Sequence, residues 1–401
     1  MINRHSNRRK FFGNVGAVGS SLTLANVASG SLTTFSGPPG SKPKRKIKIG
    51  QIGVGHAHAN KLSVYRQLSD YEIVGIVEAD PKLQSRAKNQ KPFQDLTWMT
   101  QEQLLNVPGL DAVLVETRVR DSLLAAKACI AAGKHIHLDK PAGSSFQELK
   151  AIMTSAERQQ LLVQMGYMYR YNPAILLLGD FLRRGWLGEV FEVHTVMSKT
   201  INASERKALA TYPGGMMFEL GCHILDLVIK ILGQPDQVTG FNRHSSPQQD
   251  QLIDNMLTVL EYPKATATVK ASAQEVEGFA RRHLVVCGNE GTFHIQPLDR
   301  PTAKIALAKN RGIYKAGVQQ VDFVSYEYVR AFYLLNNEFE NRAIVFLPEQ
   351  GARRSFKLVS SPLFEKERGI DNRHEGIYAS AFFERASSNV FGEKGLGDRD
   401  R

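Results

Sequence analysis

Cysteine is scarce in this chain, with three residues among 401. Cys129, Cys222 and Cys287 lie far apart and form no CxxC pair, which argues against a zinc ribbon or a disulfide-stapled scaffold. Cys129 falls inside a helical pattern, AAKACIAAG, and reads as small core filler. Long apolar runs are also missing, so stable membrane insertion is not expected. Acids are absent from the first 48 residues, which hold nine Lys or Arg, and the other 353 residues carry only +3 of the +12 net charge. The basic balance therefore belongs to an N-terminal leader rather than a nucleic-acid-binding face, and nucleic acid is not an expected partner. The length suits two domains, each able to bury its own core.

The leader has a pattern of its own. Asn7-Arg8-Arg9-Lys10-Phe11-Phe12, followed by a Gly/Ser/Ala-rich stretch to Gly30, resembles a twin-arginine export signal. Asn7 and Gly13 depart from that signal's pattern, while the Arg pair and Phe11 match it. Residues 1–30 thus read as a signal and residues 31–45 as a Gly/Pro/Ser linker. The resemblance implies a periplasmic or otherwise exported protein, with the twin-arginine translocase as a transient partner. A plain basic tail is the alternative, and it would leave the protein in the cytoplasm. Because this route exports folded proteins, a nucleotide enzyme using it is expected to hold its cofactor tightly.

The next segment alternates strands and helices. Ile47–Val54 is an apolar run ending in Gly53-Val54-Gly55, and a helical pattern follows from about Ala57 to Leu68. This is the first turn of a dinucleotide fold: Gly53 permits the tight turn and Gly55 lets a pyrophosphate approach the backbone. His58 stands at the third glycine position, so the fingerprint is incomplete. Ile73–Val77 is a second strand, ending in Glu78, with Asp80 two residues on. A carboxylate there is placed to hold the adenosine ribose and to repel a 2′-phosphate, which favours NAD over NADP. Asp80-Pro81 also reads as a plain helix start. Further strands are expected at Ala112–Val115 and His135–Leu138, with a helix at Asp121–Ala132 closed by Gly133. Alternation of this kind predicts a doubly wound parallel sheet.

Three motifs in this order resemble the glucose–fructose oxidoreductase / inositol dehydrogenase / rhizopine-catabolism family, Gfo/Idh/MocA. They are Gly53-Val54-Gly55, the AGKHIHLDKP segment ending in Lys140-Pro141, and Gly214-Gly215-Met216-Met217-Phe218-Glu219-Leu220-Gly221-Cys222-His223-Ile224-Leu225-Asp226. Asp139 replaces the family's Glu, Glu219 replaces its Asp, and Thr117-Arg118 stands where Thr-Pro is common. The resemblance implies an α/β fold: an N-terminal Rossmann domain (46–165), an α+β substrate domain with a mostly antiparallel sheet (166–334), and a divergent segment (335–401). It also implies a homo-oligomer. Runs at Met256–Glu261, Ala265–Ala271, His283–Val286 and Thr292–Ile295 agree as short strands, and Arg373–Ser387 reads as a helix.

What this implies chemically is an NAD(P)-dependent oxidoreductase acting on a sugar or polyol. Lys140 closes a parallel strand, where such sheets bind ligands, and would polarise the reacting oxygen, its pKa lowered by the nicotinamide charge. His223, on an expected helix from Met217 to Leu232, would move the proton, with Glu219 orienting it or the substrate and Asp226 on the same face. Gly53, Gly55, His58, Glu78, Thr117, Asp139 and Lys140 are the expected nucleotide contacts, and Tyr167, Arg170 and Asp226 the expected substrate contacts. The Glu-x-x-x-His spacing is not that of a zinc protease, and no metal is expected. Two other readings use the same residues: a redox-neutral glycosidase or epimerase, and a non-catalytic nucleotide-fold binding protein.

Overall fold

Short apolar runs with turn residues between them build the first half of the chain. In a computed structural model, residues 45–212, 214–321 and 323 are described, with the backbone of two further strands at Phe346–Pro348 and Phe356–Leu358. The leader, the linker up to residue 44 and the expected helix at Arg373–Ser387 lie outside the described residues. β1 (Ile47–Ile52), β2 (Tyr71–Val77), β3 (Leu110–Val115), β4 (His135–Leu138) and β5 (Val163–Met165) form a parallel sheet in the order β2-β1-β3-β4-β5. Helices α1 (Leu62–Gln67), α2 (Pro81–Ala87), α3 (Gln101–Leu105), α4 (Val119–Ala131) and α5 (Phe146–Arg158) connect and cover it. Helix starts follow local chemistry. Asp80 caps α2 through the N–H groups of Lys82 and Leu83, ahead of Pro81, and Thr100 with Gln103 closes a reciprocal capping box on α3. α4 ends at Ala131, and Gly133 takes φ +70°.

α1 departs from expectation. The sequence predicts a helix from about Ala57, but a 3-10 turn at Ala59–Lys61 comes first and the α-helix begins only at Leu62. His58 caps that 3-10 turn at φ −97°, and its ring is engaged with Asp139.

The second half is a layer of helices on one large sheet. α6 (Pro173–Arg183) is opened by the Asn172 cap and Pro173, as the sequence predicts. β6 (Val190–Ser198), α7 (Ala203–Leu209), α8 (Cys222–Leu232), β7 (Gln237–Arg243), β8 (Asn255–Tyr262), β9 (Ala265–Ser272), α9 (Gly278–Arg281), β10 (His283–Gly288), β11 (Gly291–Ile295), β12 (Ala303–Leu307) and β13 (Gly317–Val321) follow. Eight strands run in the order β13-β12-β11-β10-β6-β9-β8-β7, antiparallel throughout except for the β6–β9 pair. The sequence reading names no strand between Asn172 and Met217, yet β6 sits near the centre of the sheet. One buried core joins α6 and α8 to the inward residues, with Phe181, Phe293, Leu187, Ile224 and Val269 fully enclosed. Among the described residues no helix is long and apolar enough to cross a membrane. All three cysteines are free thiols.

Candidate active site

The site is built where the carboxyl ends of the parallel strands meet the start of α8. Gly53 leaves β1 with φ +95°, and a Cβ there would stand 2.5 Å from the backbone N of Thr117. A glycine is therefore required for the β1 and β3 turns to pack. A cavity of about 670 Å³ opens beside this turn, lined by Gly53, Glu78, Asp80, Thr117 and Arg118 among others. Its size and polar rim suit one nucleoside. Glu78 is held by its own backbone: Oε2 accepts from the Val54 N–H and Oε1 from the Asp80 N–H, both at 2.9 Å. Each carboxylate oxygen has acceptor capacity beyond that one bond, and Glu78 lines the cavity. Asp80 serves as the helix cap and also pairs with Arg118 at 2.9 Å.

Lys140, 4% exposed, reaches from the end of β4 into the other domain. Its Nζ donates to the backbone oxygen of Glu219 at 2.9 Å and to Glu219 Oε1 at 3.2 Å. Burial alone would lower the Lys140 pKa, but Glu219, Cys222 and Asp139 outweigh it and raise it. The same contact holds Glu219 below the usual carboxylate range against the effect of burial. Within the protein's own charges, then, Lys140 moves opposite to the sequence expectation of a lowered pKa.

His223 has a different environment from the one expected. Glu219 turns to Lys140, and Asp226 is taken by Arg170, whose Nε donates to Asp226 Oδ2 at 2.7 Å and whose NH2 closes a bidentate pair. Neither acid orients the imidazole. The reason is local: Met217–Gly221 is a π-turn, so the wider spacing breaks the α-helical i, i+4 stacking that the sequence reading assumed between Glu219 and His223. His223 is instead enclosed by aromatic rings, Tyr169 at 5.2 Å and Tyr167 at 6.4 Å between centroids, both edge-on. Its Nδ1 is buried with no hydrogen-bond partner among the described residues. Burial, then Lys140 and His58, push its pKa well below the ordinary value, so the ring is neutral. Tyr167 packs under the Arg170 guanidinium at 5.3 Å. Arg170 and Asp226, expected as substrate contacts, thus act chiefly on each other, bracing the wall behind His223.

A group that sequence reasoning passed over lies beneath the glycine turn. Lys61 is 1% exposed, and its Nζ lies 2.8 Å from Glu116 Oε1, in ionic contact with Asp139 Oδ2 and 2.7 Å from His137 Nε2. His58 Nδ1 reaches Asp139 Oδ1 at 3.3 Å, and His56 Nδ1 lies 3.5 Å from both Glu116 and Asp139. Asp139 Oδ1 also accepts from the Lys140 N–H at 2.6 Å. His58 and Asp139, expected as nucleotide contacts, are thus tied to one another at the strand ends. One signal in the sequence could have exposed this: polar residues interrupt the buried strand ends at Gln51, Glu116, His137 and Gln164. Apolar periodicity alone assigns such positions to the core.

The fold and site define a two-domain oxidoreductase with a Rossmann nucleotide domain. The profile "Oxidoreductase family, NAD-binding Rossmann fold" matches residues 47–167, and the profile "GFO/IDH/MocA C-terminal domain" matches residues 175–294. Between them they span more than half of the chain, which therefore belongs to the GFO/IDH/MocA oxidoreductase family. The chain is 24% identical over 279 residues to trans-1,2-dihydrobenzene-1,2-diol dehydrogenase of Macaca fuscata fuscata, covering 63% of this chain and 82% of that protein. It is 26% identical over 238 residues to the NADP(+)-dependent scyllo-inositol 2-dehydrogenase of Bacillus subtilis, covering 56% of this chain and 63% of that protein. An oxidoreductase from Agrobacterium radiobacter, solved with NAD+, L-tartaric acid and magnesium, shares the fold. Its TM-score is 0.60 at 19% identity, over 86% of this chain and 89% of that one.

Proposed function

We propose that the protein transfers hydride between a tightly held NAD and a carbinol or keto carbon of a sugar or polyol. One observation carries this reading: a buried Lys140 clamped by Glu219 beside a neutral His223 whose Nδ1 has no protein partner. The residues suit the nucleotide. Gly53 and Gly55 present bare backbone, the cavity at Glu78 takes the adenosine, and the strand ends lead toward Lys140. When bound, the nicotinamide ring supplies the hydride acceptor or donor.

The chain's own residues do the rest. Lys140 donates a hydrogen bond to the substrate oxygen and stabilises charge developing there. His223 Nδ1 takes the hydroxyl proton as the carbinol C–H hydride departs, and returns it in the reverse direction. The aromatic walls of Tyr167 and Tyr169 keep water from the imidazole. Two relatives named for diol and inositol oxidation support a substrate with neighbouring hydroxyls. Glu78 beside the ribose supports NAD, although the inositol enzyme is named for NADP(+).

The test begins with the purified protein. Denaturation should release stoichiometric NAD(H), identified by mass and absorbance, and a polyol panel should then interconvert NAD and NADH. Lys140→Ala should still bind nucleotide while turnover falls by a factor on the order of 10²–10⁴. Undiminished turnover in that variant would remove the assignment. Turnover of a glycoside or sugar without net NADH would move the chemistry to a redox-neutral hydrolase or epimerase. We further propose export by the twin-arginine route, supported by Arg8-Arg9, and self-association through the large sheet. Arg8→Lys with Arg9→Lys should trap the protein in the cytoplasm, and light scattering should give more than a monomer.

A further inference from the structure

We propose that Lys61 is a positioning residue: a buried cation that fixes Asp139, and through it the Lys140 strand end and the charge beneath the nicotinamide site. This inference rests on the oxidoreductase reading above. Three observations support it, all geometric. Lys61 Nζ stands among Glu116, His137 and Asp139, where a bound cation would otherwise be held by those three groups. His137 Nδ1 faces Gln164 Oε1 at 3.3 Å, so His137 is the neutral tautomer whose Nε2 accepts from the ammonium. Asp139 then has one oxygen committed to Lys61 and the other to the Lys140 N–H and His58. The Asp139 carboxylate is thereby fixed against the Lys140 strand end, and Gly166 is needed to admit it, since a Cβ there would meet Asp139 Oδ1 at 2.6 Å.

The energetic logic explains why the cation is needed. Glu116 and Asp139 both touch one ammonium and are fully enclosed, so without it two carboxylates would share a desolvated site and one would take up a proton. Among the described residues, the other charged or titratable groups facing the cluster include His56 and His58 from the glycine turn, His137 from β4, Lys140, Tyr65 from α1, and Cys222 and His223 from α8. None of them touches both carboxylates as closely as Lys61 does. A fixed negative end near the ring favours the cationic, oxidised nucleotide over the neutral, reduced one. It also keeps the β4 end, and so Lys140, in register with Glu219.

The test separates a positioning role from mere charge neutralisation. Lys61→Met alone should melt below the wild type, because it strands two carboxylates. The charge-balanced pair Lys61→Met/Glu116→Gln should recover most of that loss. In the double variant NAD+ binding should weaken at least fivefold relative to NADH, read by ligand titration of the full chain. The kcat for whichever polyol the wild type oxidises should stay at least tenfold low, with KM little changed. A double variant with wild-type NAD+/NADH preference and wild-type kcat would overturn the inference and leave Lys61 a neutralising group. A wild-type protein that binds neither nucleotide would remove the oxidoreductase reading, and this inference with it.

Discussion

At the scale of single residues, the site is a set of buried ion pairs around an enclosed histidine. Lys140 belongs to Glu219, Arg170 to Asp226, and Lys61 to Glu116 and Asp139, while His223 Nδ1 has no hydrogen-bond partner among the described residues. Because Glu219 helps to raise Lys140, Glu219→Gln should lower the Lys140 pKa. The alkaline limb of kcat/KM should move to lower pH, with kcat reduced by about 10–100-fold, as a pH-rate profile will show. Histidines set the response to acid. Burial, with Lys61 beside it, pushes His137 to about 3, and burial chiefly pushes His58 to about 4, both from 6.5. Each is depressed in the folded state, so as pH falls below 6.5 the unfolded chain binds protons that the folded chain does not. Stability should therefore fall on acidification between about pH 6.5 and 4. His137→Gln keeps an acceptor for Lys61 without the titration. Its denaturant-derived stability should fall less steeply, by up to about 1.4 kcal/mol per pH unit.

Turns decide more than helices and strands do at the scale of elements. Gly53 combines positive φ with a close approach to Thr117, so Gly53→Ala should cost stability and disrupt the nucleotide cavity together. We expect a loss of more than about 1 kcal/mol in denaturant unfolding and at least a tenfold weaker NAD affinity. The π-turn at Met217–Gly221 is the second such place. By opening the helix one residue wide, it sends Glu219 toward Lys140 while His223 stays against Tyr169. An ordinary α-helical start would stack the acid on the imidazole instead. The delayed start of α1 is the third, since the 3-10 turn through Ala59–Lys61 carries Lys61 inward to the strand ends.

For the whole molecule, the candidate site forms where the two domains meet. Lys140 comes from the parallel sheet, whereas Glu219 and His223 precede and open α8 of the second unit. A nucleotide bound to the folded form alone should stabilise both by mass action, by roughly 2.7 kcal/mol at a hundredfold excess over Kd. On the proposed NAD preference, NAD should raise the melting temperature of the full chain more than NADP does at equal concentration, because the Glu78 carboxylate lines the cavity and would repel a 2′-phosphate. An equal or larger shift with NADP would reverse the assigned preference.

Much of this was legible in the linear chain, because it depends on local chemistry. The strands β1 to β5, the helix α4, the glycine turn, the caps at Asp80 and Asn172, and the placing of Lys140 at a strand end all follow from periodicity and turn residues. The four strands β8 to β11 follow from β-branched alternation, and their observed bounds exceed the predicted ones by only one or two residues, whereas β12 and β13 were not named. The central position of β6 was not legible, since a parallel pairing with β9, some seventy residues on, leaves no local mark. Partner choice was not legible either. Sequence spacing brings Glu219 and Asp226 near His223, but a charged group settles on whichever opposite charge burial leaves closest, and Lys140 and Arg170 arrive from distant positions. Sequence alone thus determined the fold class, because backbone propensity and apolar period act over a few neighbours. Tertiary structure alone decided which charges meet, because desolvation and Coulomb attraction act between groups that only the finished fold brings within reach.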